Sequence, residues 1–494
     1  MRKVNKIIAI CLAAASLISI AGCSGGSKQQ ADNTIVWYMK KPVENLDHQE
    51  SVEAEANKMI AESLDAKLHF NMIDAASWEQ KTKLLGASKD SVDLVMTANW
   101  TNKLIDNVKN GSFMELNDLL DKYGQDIVAK VDPRAWDAVT FDGKIMAIPA
   151  QQAYSSPQSF VFKKDLVEKY NFDYKNCKTL KDLEPFLAQI KANEPNVTPI
   201  LSVSNDVALP YSDTTEQIAA GVVYDYETNK LITRYSEEDD VVLDIGRTMH
   251  DFYEKGYIAK DASTKTEYTS EARSGRYAVM HQAGSATEDG SKSTSIYGFD
   301  CVETIVVYPT ITTNSFTSAC TAISINCKKP ELAMQLLNLI WKDIKLSNTL
   351  AFGLEGQDYV VTAGEGTDNP TVKANEGAEQ KWAVWHNWIG PLFDQWDSNW
   401  NTKAALEEMQ YNNEHADVSP INGFTFNPDA VATEVATVNS ILTEIRPVIY
   451  TGSMTDFDSY IAEARKRLEQ AGIEKIKAEV QKQLDEWLKT KKDI

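Results

Sequence analysis

The chain has 494 residues, 43% of them hydrophobic, and carries 50 Lys and Arg against 71 Asp and Glu for a formal net charge of −21. That length and apolar content suffice for a large core divided over roughly two or three domains, and they exclude a disordered stalk. The acidity excludes nucleic acid, whose phosphates need a basic footprint, and broad adsorption on anionic lipid.

At the N-terminus, Arg2, Lys3 and Lys6 form a positive region ahead of an apolar run from Ile7 to Ile20 that is short for a bilayer span. The run closes on Ile20-Ala21-Gly22-Cys23, small residues before a cysteine, which is the pattern a lipoprotein signal peptidase cuts. Residues 1–22 therefore read as a signal peptide. Cys23 reads as a new N-terminus carrying a thioether-linked lipid, and 23–31 as a flexible tether. Two acyl chains suffice to hold a protein on a membrane. Without its first 22 residues the chain loses three positive charges and goes from −21 to −24.

The folded body begins with Thr34–Met39, a β-branched and aromatic run that predicts a strand. Ser51–Leu64 then places Val52, Ala56, Met59, Ile60 and Leu64 on one helical face. Ala66–Ile73 alternates as a strand, Trp78–Leu85 reads as helix, and Val92–Met96 as a buried strand. This β-α-β-α-β order predicts an α/β fold with a mainly parallel sheet. In such sheets ligands collect at the carboxyl ends of the strands, so the loops after Met39 and Met96 are the places to look. Further on, 141–164 contains a turn, prolines at both ends and small polar residues between, which fits an extended crossing from one lobe to another. A second crossing is expected from Tyr308 to Ser318. After it come a strand at Ala319–Ile325 and an apolar helix at Glu331–Ile340 led by Pro330, so the first lobe is completed late.

These segments carry a resemblance. WEQKTKLLGASKDSVDLVMTANW (78–100), FMELNDLLDKYG (113–124), FDGKIMAIP (141–149), FVFKKDLVEKYNFD (160–173), RSGRYAVMH (273–281) and KKPELAMQLLNLIWKD (328–343) follow one another as in the family 1 extracellular solute-binding proteins of sugar ABC importers. LAFGLEGQDYVV (350–361), SPINGFTFNPDAVATEVATVNSIL (419–442) and LEQAGIEKIKAEVQKQLDEW (468–487) resemble the LipO-like lipoproteins, which end in an extra domain. The resemblance implies the type 2 periplasmic-binding-protein fold: two α/β lobes joined by a hinge, with an additional mainly helical C-terminal region. It assigns 32–150 and 312–345 to the N-terminal lobe, and 155–308 and 365–494 to the C-terminal lobe and its extension. It also implies a cell-membrane, extracytoplasmic location and ABC permease subunits as partners, with a monomeric receptor.

At the C-terminal end, Asp456–Gln470 and Ile473–Leu488 read as two helices broken at Gly472. Ile476, Val480, Leu484 and Leu488 stand at i,i+4 spacing, a stripe suited to packing on a lobe.

A sugar presents apolar C–H faces fringed by hydroxyls, so its pocket needs flat rings flanked by planar polar groups. Topology nominates Trp37 and Tyr38 at the end of the first strand and Trp100 after the third. It adds Gln151, Gln152 and Tyr154 in the first crossing, and His281 and Gln282 after the YAVM strand. For each aromatic the competing reading is core packing, with Trp100 and Tyr154 the best placed for ligand. The spacing of Trp382, Trp385 and Trp388 puts them along one helical side. In the resembling family this stretch follows the last crossing, which adds Asn387 and Trp388 to the ligand candidates.

No phosphate-binding loop, dinucleotide fingerprint, zinc-protease or nucleophile-elbow motif occurs, and Cys177, Cys301, Cys320 and Cys327 form no C-x-x-C pair. Neither metal nor cofactor is expected. One disulfide among Cys301, Cys320 and Cys327 competes with the reading of buried thiols. The expected function is capture of a small-molecule solute, a carbohydrate and in particular an oligosaccharide, by hinge closure and its delivery to a permease. Alternatives are binding of a peptide or other polar metabolite, a sensor or adhesin built on the same clamp, and a surface glycoside hydrolase.

Overall fold

The computed structural model describes residues 33–85, 92–204, 214–283, 289–375 and 380–491; the expected signal peptide, Cys23 and the tether lie outside the described residues. The first sheet is built as its sequence suggests. Thr34–Lys40 runs parallel to Lys67–Ile73, pairing Thr34 with Lys67 through to Lys40 with Ile73, and parallel to Leu94–Thr97 on its other side. Leu94–Thr97 is buried at every residue, which is why it is apolar throughout rather than alternating. Helix Gln49–Ser63 covers one face with Val52, Ala56 and Ile60. Strand order reverses at the first strand, which leaves Lys40 and Trp100 at the carboxyl edge where a ligand-binding crevice forms in such sheets.

Cys320–Ile323 enters this sheet late, antiparallel to Leu94–Thr97, and pairs on its other side with Ile148–Pro149. Helix Pro330–Lys342 follows and buries Ala333, Met334, Leu336, Leu337, Ile340 and Trp341. Each such large apolar side chain stabilises the lobe by about 1.5–3 kcal/mol.

The second lobe is a four-stranded sheet in the order Cys301–Val307, Gln158–Lys163, Tyr277–Ala283, Thr198–Ile200, with a separate apolar cluster on each face. Beside it, a three-stranded antiparallel sheet, Thr215–Ala219, Val222–Asp225 and Lys230–Thr233, shares one core with helices Ala432–Thr451, Phe457–Gln470 and Ile473–Lys491. The last helix buries Ile473, Ile476, Val480 and Leu484, while Leu488 is exposed. Gly472 turns the chain between the last two helices at φ +91°, a conformation suited to glycine. Among the described residues no helix is long and apolar enough to cross a membrane.

Two expectations are corrected. The assignment of 365–494 to the second lobe fails for its first part: Trp382, Val384, Trp388, Ile389 and Ala416 belong to the first lobe's core, and only from Ile421 does the chain join the second. The Trp382 ring packs 6.1 Å from Phe70 and its Nε1 donates to the Leu350 carbonyl at 2.9 Å, anchoring the segment there. Nor do Trp382, Trp385 and Trp388 share a helical side, because the helix spans only His386–Ile389. Cys177, Cys301, Cys320 and Cys327 are buried free thiols, so the disulfide weighed from the sequence does not form. Burial pushes Cys177, Cys301 and Cys327 up to about 12, which keeps them protonated and inert.

Candidate functional site

The two lobes face each other across their connections. In the first sheet Cys320 pairs with both Thr97 and Pro149, so the crossings start from the same edge that carries Trp100. In the second sheet Gln158 pairs with Ala283 and with Val307, which places the ends of three strands at the opposing edge. The crossings are 150–157 and 308–312, and a third runs alongside: Ile311 and Val418 form a parallel bridge, with Ile311 N donating to Asp417 O and Ser419 N to Ile311 O, both at 2.8 Å. These three segments of backbone join the two lobes.

On the first lobe's side two exposed rings, Trp100 and Trp385, flank the buried ring of Trp388. Trp100 is 49% exposed, and its Nε1 donates to the Ser318 carbonyl at 2.8 Å, which fixes the ring at the edge of the crossing. Lys40 Nζ lies 4.7 Å from its centroid, a cation–π contact on the ring. Trp388 follows at 6.4 Å, and Trp385 stands edge-on to Trp388 at 4.6 Å while remaining 47% exposed. Trp385 also walls a cavity of about 540 Å³, within the size range of small-molecule sites. Its lining is rich in amides, with Gln152, Gln357, Asn375, Gln380, Asn387 and Asn401, and carries the ring of Trp400. Phe352 stacks on Trp400 at 5.2 Å. One carboxylate, Asp358, is held by His48 Nδ1 at 2.7 Å and by Leu354 N at 2.8 Å. Flat rings next to uncharged amides that donate and accept suit a ligand with hydroxyls and apolar faces.

Gln152 and Asn387 close the wall between hinge and cavity by a reciprocal pair. Gln152 Nε2 donates to Asn387 O at 2.8 Å, and Asn387 Nδ2 donates to Gln152 Oε1 at 3.1 Å. Asn413 Nδ2 donates to Gln152 O at 2.7 Å, and its Oδ1 accepts from Tyr154 N at 2.8 Å, so helix Lys403–His415 fixes the first crossing.

The remaining predicted residues serve the protein's own packing. Trp37 is fully buried, 5.6 Å from Phe70, and Tyr38 on the same strand is buried too. Gln151 Nε2 donates to Lys130 O at 2.9 Å and its Oε1 accepts from Phe393 N at 3.0 Å. Tyr154 donates to Ala150 O at 2.7 Å and packs edge-on to Phe316 at 4.8 Å. For Trp37, Tyr38, Gln151 and Tyr154 the expectation of ligand contact is therefore corrected: their rings and amides are already occupied inside the fold. His281 and Gln282 lie at the opposing edge, where His281 Nδ1 meets Tyr268 OH at 2.8 Å and Gln282 Oε1 accepts from Tyr297 OH at 2.9 Å. Burial pulls His281, and His386 beside the cavity, down to about 3, which keeps both imidazoles neutral. Most of the amides were not singled out from the sequence; the clustering of Asn, Gln and Trp between 375 and 401 is the signal that marks them. Among the described residues no group of three or more His, Cys, Asp or Glu could hold a metal ion.

Residues 62–343 match the family described as bacterial extracellular solute-binding protein, and residues 420–489 match a domain of unknown function (DUF3502). A carbohydrate ABC transporter substrate-binding protein from Streptococcus pneumoniae serotype 4 is 29% identical over 489 residues, which cover 97% of this chain and 96% of that one. The crystal structure of the N-glycan transport solute binding protein NgtS from Streptococcus pneumoniae aligns with a TM-score of 0.78 at 28% identity, over 93% of this chain and 99% of that one. The same protein in complex with Man1GlcNAc and with Man5GlcNAc aligns at 0.66 and 0.62. With more than half of its length matched by the family, the chain belongs to the bacterial extracellular solute-binding proteins.

Proposed function

We propose that this protein is the lipid-anchored receptor of an ABC importer, which captures a neutral oligosaccharide between its lobes and delivers it to a membrane permease. The observation that carries the reading is the amide-lined cavity walled by Trp385, with the exposed ring of Trp100 held on the far side of buried Trp388. Rings stack on sugar faces, and amides satisfy hydroxyls without requiring a charge on the ligand. The relatives support the class of ligand, since one is a carbohydrate receptor and the other is solved with glycans. One relative of fixed sequence scores 0.78 in one crystal structure and 0.62 with Man5GlcNAc, so the difference between its scores is conformational. A ligand that touches both lobes only when they are closed favours closure of a hinge between them. The receptor performs no chemistry on the glycan.

Calorimetric titration of the mature protein with Man5GlcNAc and a panel of neutral oligosaccharides tests this. The expected result is saturable binding with the glycan recovered intact; absence of binding across the panel, or turnover of any member, defeats the reading. Anchoring rests on Cys23 at the end of the signal-like segment. Cys23→Ala is expected to move the protein from the membrane fraction to the soluble fraction, and an unchanged distribution would refute lipid attachment there.

A further inference from the structure

The C-terminal region matched to a domain of unknown function touches both lobes. Its helices share a core with the 215–233 sheet, yet its first residues reach back to the N-terminal lobe. Gly423 N donates to Thr313 Oγ1 at 2.8 Å, and Asn422 Nδ2 donates to Arg134 O at 2.9 Å. From the last helix, Lys491 Nζ meets Asp137 Oδ2 at 3.0 Å. Between these anchors, residues 424–426 wall a cavity of about 210 Å³ opposite Asn99 and Asn314 of the first lobe and Gln217 of the 215–219 strand. A neighbouring cavity of about 300 Å³ shares Glu216, Gln217 and Asn314 and extends to Gln158, at the hinge edge of the second sheet. The two adjoin along the strand and are taken together as one groove, and Asn99 in its wall precedes Trp100 in the chain.

We propose that this groove is a second saccharide subsite, built in part by the C-terminal region, which takes the far end of a glycan too long for the cavity walled by Trp385. The half-buried ring of Phe426 offers a flat apolar wall, while Gln217, Asn99 and Asn314 offer amides for hydroxyls. The carboxylate of Glu216 is already engaged within the fold, accepting from Ser419 Oγ at 2.6 Å and Tyr226 OH at 3.1 Å, which leaves the amides to meet the ligand's hydroxyls. Neither cavity alone is large by the standards of small-molecule sites, which suits the terminal unit of a longer ligand rather than a separate one. This inference rests on the carbohydrate reading above and assigns the C-terminal region a role in selecting glycan length.

The test compares Man1GlcNAc with Man5GlcNAc on the mature protein by calorimetry. The wild type is expected to bind the longer glycan at least about tenfold more tightly, and Gln217→Ala and Phe426→Ala each to shrink that ratio by about threefold or more. Melting temperature serves as the folding control. Gln217 is exposed, so its variant decides the matter even if Phe426→Ala unfolds. An unchanged ratio in a folded Gln217→Ala protein, or a wild type that binds the two glycans equally, overturns the subsite and leaves the carbohydrate reading intact. A wild type that binds neither glycan, nor any other member of the panel, overturns both.

Discussion

Replacing Trp100 with alanine is expected to weaken Man5GlcNAc binding about 30-fold, a loss of about 2 kcal/mol, typical of truncating an aromatic anchor. The melting temperature should stay within about 2 °C, because surface substitutions change stability by about 0.5 kcal/mol or less. The ring is half in solvent and contributes one hydrogen bond, to Ser318 O, so the fold loses little with it. Trp385→Ala should behave in the same way, since its ring is similarly exposed and stands at the mouth of the 540 Å³ cavity. Trp37→Ala supplies the contrast. Its ring is fully buried, and truncation is expected to destabilise the protein by about 3–5 kcal/mol. Calorimetry and thermal melts of the three variants separate the roles: binding lost with stability kept at Trp100 and Trp385, stability lost at Trp37. A Trp100→Ala protein that binds as the wild type does would remove Trp100 from the site.

Gly390→Ala is expected to destabilise the protein by about 3–5 kcal/mol and to abolish glycan binding with it. Gly390 sits at φ +133°, a region open to glycine and strained for other residues, and an added Cβ would lie 2.4 Å from Trp341 Nε1 and Cε2. Relief by a rotamer change is blocked, because Trp341 is fully buried in the core of the first lobe. The effect reaches the site because Gly390 O accepts from Gln151 N at 2.8 Å, joining the hinge crossing to the segment that carries Asn387 and Trp388. Chemical denaturation of the variant reads the stability loss directly. A variant as stable as the wild type would show that the Trp388 segment adapts, contrary to the packing described.

What could be read from the sequence follows from how far apart the deciding contacts lie. The strands at 34–40 and 94–97 are legible as largely apolar runs, that at 67–73 by its alternation of buried and exposed residues, and all three by the amphipathic helices between them. The late strand at 320–323 and the helix behind it are legible for the same local reasons, with Pro330 marking the helix start. The roles of Trp37 and Trp100 were not separable: both are tryptophans near strand ends, and one is covered by Phe70 while the other is held at the surface by Ser318 O, contacts 33 and 218 residues away in sequence. The Trp382–Trp388 spacing suggested a helix because every third residue is aromatic. The bond from Trp382 to Leu350 O and the turn at Gly390 instead hold the segment as an extended strap with one short helix. Long-range anchoring of this kind leaves no periodicity to find.

Two lobes joined by three backbone crossings are proposed to close on a neutral glycan. Small-angle scattering of the mature protein, recorded without ligand and at saturating Man5GlcNAc, tests this closure most directly. A smaller radius of gyration is expected in the saturated sample, reached at the same glycan concentrations that produce binding heat. Saturable heat with an unchanged radius would show that the glycan binds without lobe closure and would contradict the proposed capture mechanism.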